Sequence, residues 1–294
     1  MESCTNSYFL FGKEIKNSSD FENYYGSKGK YLYEVIRVID GIPIFLMEHL
    51  DRLENSAKIM KYVPIITRNE IIDGIIKLIE ENNAQDENLK LIINYDPGNG
   101  KTGNKSVFDE RFLAYFTTHD YPCAEQYAKG VKTITYHGER KNPNAKVIDS
   151  VFIDNVNHEI ESKKVYEAIL VDKQGFITEG SKSNIFMVQG TTVATSKLSN
   201  VLPGITRQFI IKVCKNLNID FKEDDIHESK LKSLAGLFIS GTSPKVLPIK
   251  SVDEFSYNSS ESSIINSIMM EFDVEINKDK EKFVKFLSNR TISK

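Results

Sequence analysis

Five short segments of this chain hold residues whose types and spacing suit chemistry: EHLDR at 48–52, NPNAK at 142–146, TEGSKSNIF at 178–186, LPGITR at 202–207 and SGTSP at 240–244. Arg52 offers a guanidinium fork that matches two oxygens of one phosphate. Ile205, Thr206 and Thr242 follow Gly204 and Gly241 in turns, where backbone N–H groups and hydroxyls can converge on an anion. Thr206 also leads into a helix expected from residue 208, which adds the positive end of a helix dipole. Glu179 ends a strand expected at 176–179, so the hairpin there can aim its carboxylate into a cleft. Lys146 is a primary amine near Pro143, and only its surroundings can distinguish it from the chain's other lysines.

Other candidates fail on spacing. Residues 98–102 (GNGKT) look like the end of a phosphate-binding loop, but Tyr95 stands where that motif requires glycine. A hairpin turn is the better reading. Residues 180–184 (GSKSN) lack the closing glycine of a nucleophile elbow. The five histidines never fall at metal-ligand spacing, and Cys4, Cys123 and Cys214 are too scattered for a metal site or a disulfide framework.

As an ordered set, the five segments resemble the class IV pyridoxal-phosphate aminotransferases of fold type IV. That group includes branched-chain aminotransferases, D-amino acid aminotransferases and 4-amino-4-deoxychorismate lyases, and the resemblance spans roughly residues 30 to 255. It implies that Lys146 is the Schiff-base lysine and moves the substrate proton. A lysine at its ordinary pKa of about 10.4 stays protonated at neutral pH, so burial or the imine itself must lower it. Glu179 takes the pyridine nitrogen and keeps the ring protonated as an electron acceptor. Arg52, Ile205, Thr206 and Thr242 take the cofactor phosphate, and Tyr33 faces substrate. His49 lies in a matched segment and Arg140 just ahead of one, neither with an assigned role.

The resemblance further implies a two-domain α+β fold, with a small N-terminal α/β-sandwich domain and a larger β-barrel-like C-terminal domain. Cofactor binds between the domains, and a homodimer forms in which the partner's small domain closes the site. The implied reaction is ping-pong transfer of an amino group from an amino acid, branched-chain or otherwise small and aliphatic, to a 2-oxo acid. Two departures keep the substrate open. Val151 stands where branched-chain enzymes carry a tyrosine reaching the cofactor ring hydroxyl, a residue that the lyases also lack. Ile93-Asn94-Tyr95 replaces the Arg-x-His carboxylate trap of the D-amino acid enzymes. TEGSKSNIF and LPGITR are closer to the transaminases.

The elements that must position these residues follow from periodicity. Residues 31–38 alternate as a strand, and Asp40-Gly41 turns it into a second strand at 42–46. Leu50, Leu53, Ala57 and Met60 mark a helix at 48–60, and 69–81 repeats the pattern with Asn69 as its N-cap. Strands are expected at 89–95, 112–117, 131–136, 168–171, 176–179, 185–188 and 237–240, and helices at 152–167, 208–217 and 261–272. The domains are then 1–120 and 131–294, joined by a linker at 121–130 that carries Pro122.

Composition bounds the function. The 294 residues hold 38 Lys+Arg against 41 Asp+Glu, a net charge of −3 that argues against a general affinity for nucleic acid. At 40% hydrophobic and 27% charged the chain reads as an ordinary globular protein. No stretch approaches the roughly 20 apolar residues of a membrane span. The first residues lack a signal peptide's basic and apolar regions, and with no disulfide pattern a cytoplasmic protein is expected.

Overall fold

The computed structural model describes residues 3–25, 30–62, 66–96, 112–147 and 150–292. The loop 98–102 lies outside them. The chain divides into two compact units, the first comprising Met1–Asp120, Ala145–Ile148 and Asp279–Lys294, the second Tyr121–Asn144 and Asp149–Lys278.

In the first unit β1 (Tyr8–Phe11), β2 (Glu14–Asn17), the short α1 (Phe21–Tyr24), β3 (Lys30–Ile39) and β4 (Ile42–Pro43) precede α2 (Leu46–Ile59) and α3 (Arg68–Asn82). Strands β5 (Asp86–Asp96) and β6 (Phe112–Thr117) complete an antiparallel sheet of order β2-β1-β6-β5-β3-β4. Side chains alternate between the faces. Leu32, Ile36, Val38, Leu89, Leu91 and Ile93 form one core with Leu46, Leu50, Leu53, Ile71, Ile75 and Leu78 of the two helices. The other face is aromatic, with Tyr31, Tyr33, Phe9, Phe11, Phe21 and Tyr115.

Two local expectations change here. Asp40 (φ 51°) and Gly41 (φ 74°) make the expected two-residue turn, but β4 ends at Pro43, and Phe45 (φ 54°) turns the chain into α2. Thr67, not Asn69, caps α3: its hydroxyl accepts the Glu70 N–H while the Glu70 carboxylate accepts the Thr67 N–H, a reciprocal capping box.

The second unit opens with α4 (Ala124–Lys129), a helix inside the expected linker. There follow β7 (Val131–His137), α5 (Ser150–Lys163), β8 (Glu167–Val171), β9 (Phe176–Gly180), β10 (Asn184–Gln189), β11 (Thr192–Thr195), α6 (Ile205–Asn216), β12 (Phe221–Glu223), β13 (Ile226–His227), β14 (Gly236–Gly241), β15 (Lys245–Val252), β16 (Phe255–Ser256) and α7 (Ser263–Ile292). The strands form a mixed ten-stranded sheet of order β12-β11-β10-β14-β15-β7-β8-β9-β13, with β16 beside β15, curled into a half-barrel. The α+β, fold type IV architecture is therefore present.

Strand β15 has no counterpart among the expected elements. Pro248 interrupts its pattern, yet it pairs with Phe238 deep in the sheet. Helix α7 runs 30 residues instead of ending at 272, and beyond Phe272 its buried apolar side chains are Ile276 and Phe283. From Asp279 it belongs to the first unit, where Phe283 is buried with Phe286 and Leu287 packed against the same core. No helix among the described residues is long and apolar enough to cross a membrane.

Candidate active site

In the first unit the alternation of β3 turns Glu34 onto the same face as Leu32 and Ile36, fully buried under helix α2. A carboxylate is tolerated there because α2 presents His49, Arg52 and Ser56 at three- and four-residue spacing on its buried face. Arg52 donates from Nε to Glu34 Oε1 at 2.8 Å and from Nη2 to Oε2 at 2.6 Å. His49 Nδ1 lies 2.7 Å from Oε2 and donates to it. Burial by itself pushes Glu34 up, but the Arg52 guanidinium and the His49 contact override it and hold the carboxyl at about 2. Burial pushes His49 below the usual imidazole range, Glu34 opposing and the Arg52 and Lys146 charges assisting.

Lys146 is positioned through its backbone. Its N–H donates to Ser56 Oγ at 3.3 Å, and its carbonyl accepts the N–H of Tyr33 at 3.2 Å. Val147 makes an antiparallel bridge with Leu32, so the segment lies along β3. These contacts are why Ala145–Ile148 belongs to the first unit and not to the larger domain expected from sequence. The Lys146 ammonium stands 4.6 Å from the centroid of the Tyr33 ring, and the ammonium of buried Lys90 stands 5.5 Å from the same ring. Lys146, Tyr33 and Arg52 are thus brought into one neighbourhood.

In the second unit Glu179 sits near the end of β9, 3% exposed. Arg140 Nε lies 2.9 Å from its Oε1, and the N–H of Leu202 donates to Oε2 at 3.0 Å. Arg140 Nη2 also donates to the Ser181 carbonyl. Helix α6 begins at Ile205, three residues before the sequence expectation, so buried Ile205 and Thr206 lie inside its first turn. Gly204 adopts the extended N-cap conformation (φ −61°, ψ 136°), and no side chain caps it. Thr242 directly follows β14.

This neighbourhood fits an anionic cofactor. The Ser181 and Ser240 hydroxyls are buried without a hydrogen-bond partner, a costly condition that a bound polar group relieves. Ser240 is in register with Asn184, and an alanine Cβ at 204 would stand 2.0 Å from Asn184 Oδ1, so only glycine brings the α6 backbone this close. The uncapped N–H groups of α6 supply the complementary positive end. Glu179, Ile205, Thr206 and the hydroxyls around them therefore suit the ring and phosphate of pyridoxal 5′-phosphate.

Several contributors are absent from the sequence reading. Glu34 had a legible signal, a charge on the apolar side of an alternating strand. Lys90 gave no such signal, because it alternates with Leu89 and Leu91 as an outward polar residue does. Ser181 and Ser240 gave none, since an orphaned hydroxyl is visible only in three dimensions.

The turn after Glu179 is tightly built. Glu167 accepts the Lys182 N–H at 2.6 Å and the Ser183 hydroxyl at 2.9 Å. A Cβ at 180 would stand 2.2 Å from Ser183 Oγ and 2.5 Å from Glu167 Oε1. Gly180→Ala is expected to destabilise the protein by about 1–3 kcal/mol, as overpacking does. The shift in urea midpoint checks this, and an unchanged midpoint would show that the turn can open.

Comparison with known proteins points the same way. The family model "Amino-transferase class IV" matches residues 31–252. The branched-chain-amino-acid aminotransferase of Escherichia coli (strain K12) is 30% identical over 237 residues, covering 76% of this chain and 77% of that protein. The D-alanine aminotransferase of Bacillus licheniformis is 25% identical over 230 residues, covering 76% and 80%. Among solved structures, the T.th. branched-chain amino acid aminotransferase with pyridoxamine 5′-phosphate gives a TM-score of 0.80 at 19% identity, over 94% of this chain and 96% of that one.

Proposed function

The chain belongs to the class IV aminotransferases, and from that premise we propose that it transfers an amino group from a branched-chain or other small aliphatic amino acid to a 2-oxo acid. Class IV aminotransferases are enzymes that depend on pyridoxal 5′-phosphate. The observation that carries the reading is Lys146, the lysine of the matched segment, whose backbone is held by Ser56 and Tyr33 so that its ammonium lies over the Tyr33 ring.

When bound, the cofactor supplies an electron sink and a temporary carrier for the amino group. The protein's residues do the rest. Lys146 Nζ takes the proton from the substrate Cα and later returns it, a role for an amine positioned close to the reacting carbon. The Glu179 carboxylate holds a proton at the ring nitrogen. The first turn of α6, with Ile205 and Thr206, binds phosphate with Thr242, and in the first unit the Arg52 guanidinium, oriented by Glu34, is the further candidate phosphate ligand. Tyr33 forms a wall of the substrate site.

Absorbance of the protein loaded with pyridoxal phosphate tests this reading, with L-leucine, L-glutamate and D-alanine added separately. Conversion to the pyridoxamine spectrum with L-leucine supports the proposal. Conversion with D-alanine alone moves the chain to the D-amino acid enzymes. Val151, 70% exposed where a ring-contacting tyrosine is expected of branched-chain enzymes, favours one second reading. If no donor converts an intact cofactor band, elimination of pyruvate from 4-amino-4-deoxychorismate is the reaction to assay. The proposal includes a cytoplasmic homodimer, and a monomer by sedimentation would remove that part of it.

A further inference from the structure

We infer that Arg140 is a positioning residue that fixes the charge and direction of the Glu179 carboxylate. The inference rests on the proposed role of Glu179 at the cofactor ring. One guanidinium spans two groups: its Nε lies 2.9 Å from Glu179 Oε1, and its Nη2 binds the carbonyl of Ser181 on the far side of Gly180. The Leu202 N–H takes the other carboxylate oxygen, so Glu179 is held from two directions. The turn that carries Glu179 is braced from beneath by Glu167 through Lys182 N–H and the Ser183 hydroxyl. Arg140 is a cation beside Glu179, and its field reaches the buried Glu167 as well, along with that of Lys182.

The chemical consequence follows from competition for one proton. A pyridine nitrogen and a carboxylate differ little in basicity, so a proton between them settles according to the local field. The Arg140 charge lowers the proton affinity of Glu179, which leaves the proton on the ring. The same contact stops the carboxylate from rotating away. Without Arg140 the proton moves toward Glu179, the ring loses positive charge, and the nitrogen joining cofactor to Lys146 becomes more basic.

Arg140→Gln tests the inference, because glutamine can still donate to the Ser181 carbonyl but carries no charge. The readout is the pH midpoint of the visible band of the lysine-bound cofactor, recorded without substrate. In Arg140→Gln this midpoint is expected to rise by about one pH unit, and kcat to fall about 10- to 100-fold, as when an outer-shell partner is lost. Arg140→Lys, which keeps the charge but not the fork, is expected to restore the midpoint while kcat stays reduced. A natively folded Arg140→Gln protein with an unchanged midpoint overturns the inference. Should Arg140→Gln fail to fold, a wild-type midpoint in Arg140→Lys supports the charge role and a shifted midpoint overturns it. A wild-type protein that forms no lysine-bound band refutes the parent reading instead.

Discussion

Lys146→Ala is expected to abolish amino transfer, with a loss of about 10⁴-fold or more in kcat, since both the proposed cofactor attachment and the proposed proton carrier disappear. The fold should survive. Lys146 is held by its N–H on Ser56 Oγ and its carbonyl on the Tyr33 N–H, and alanine keeps both. What is lost is an ammonium over the Tyr33 ring, a contact worth about 0.5–2 kcal/mol. The start of α6, proposed to bind the phosphate, is untouched, so the variant should still bind pyridoxal phosphate reversibly. Single-turnover transfer, thermal melting and equilibrium dialysis separate these outcomes. A fully active variant would sink the assignment.

The second large effect is on stability. Glu34→Gln leaves the Arg52 guanidinium buried without its counter-charge, and breaking a buried pair in this way costs about 3–5 kcal/mol. The pair also carries a pH signature. Glu34 is held from 4.5 down to about 2, so its contribution is fully present above the unfolded-state value and drains away as pH falls through the folded one. That is about 3 kcal/mol lost between pH 4.5 and 2, at 1.36 kcal/mol for each unit. Urea unfolding across that range should show a steep acid limb in the wild type and a flattened one in Glu34→Gln. Cofactor affinity should fall in the same variant, because Arg52 loses the carboxylate that orients it. A parallel acid limb in both proteins would show that Glu34 carries little of the acid sensitivity.

The sequence by itself determined much of what depends on near neighbours, although the Thr67 cap of α3 and strand β15 escaped it. Alternation located β3, β5 and β6, and the Asp40-Gly41 pair located the hairpin after β3. Helical spacing located α2 and α3 to within a few residues, since an apolar face must recur with the period of its element. The ordered segments also made the family legible, because a fold type IV resemblance rests on residue types in sequence order. The residues proposed for the cofactor could therefore be named before any coordinates.

Tertiary structure alone decided what those residues touch. Glu34 and Arg52 are separated by a hairpin and a helix turn, and their bidentate contact exists because strand register and helix packing superimpose them. Arg140 and Glu179 meet across helix α5 and strand β8, and the segment around Lys146 leaves its sequence neighbours to lie along β3. The end of α7 likewise packs with the N-terminal core because Phe283 finds apolar partners there. In each case the deciding energy is a buried charge that must be paired or an apolar side chain that must leave water. Both depend on neighbours distant in sequence, which local periodicity cannot encode.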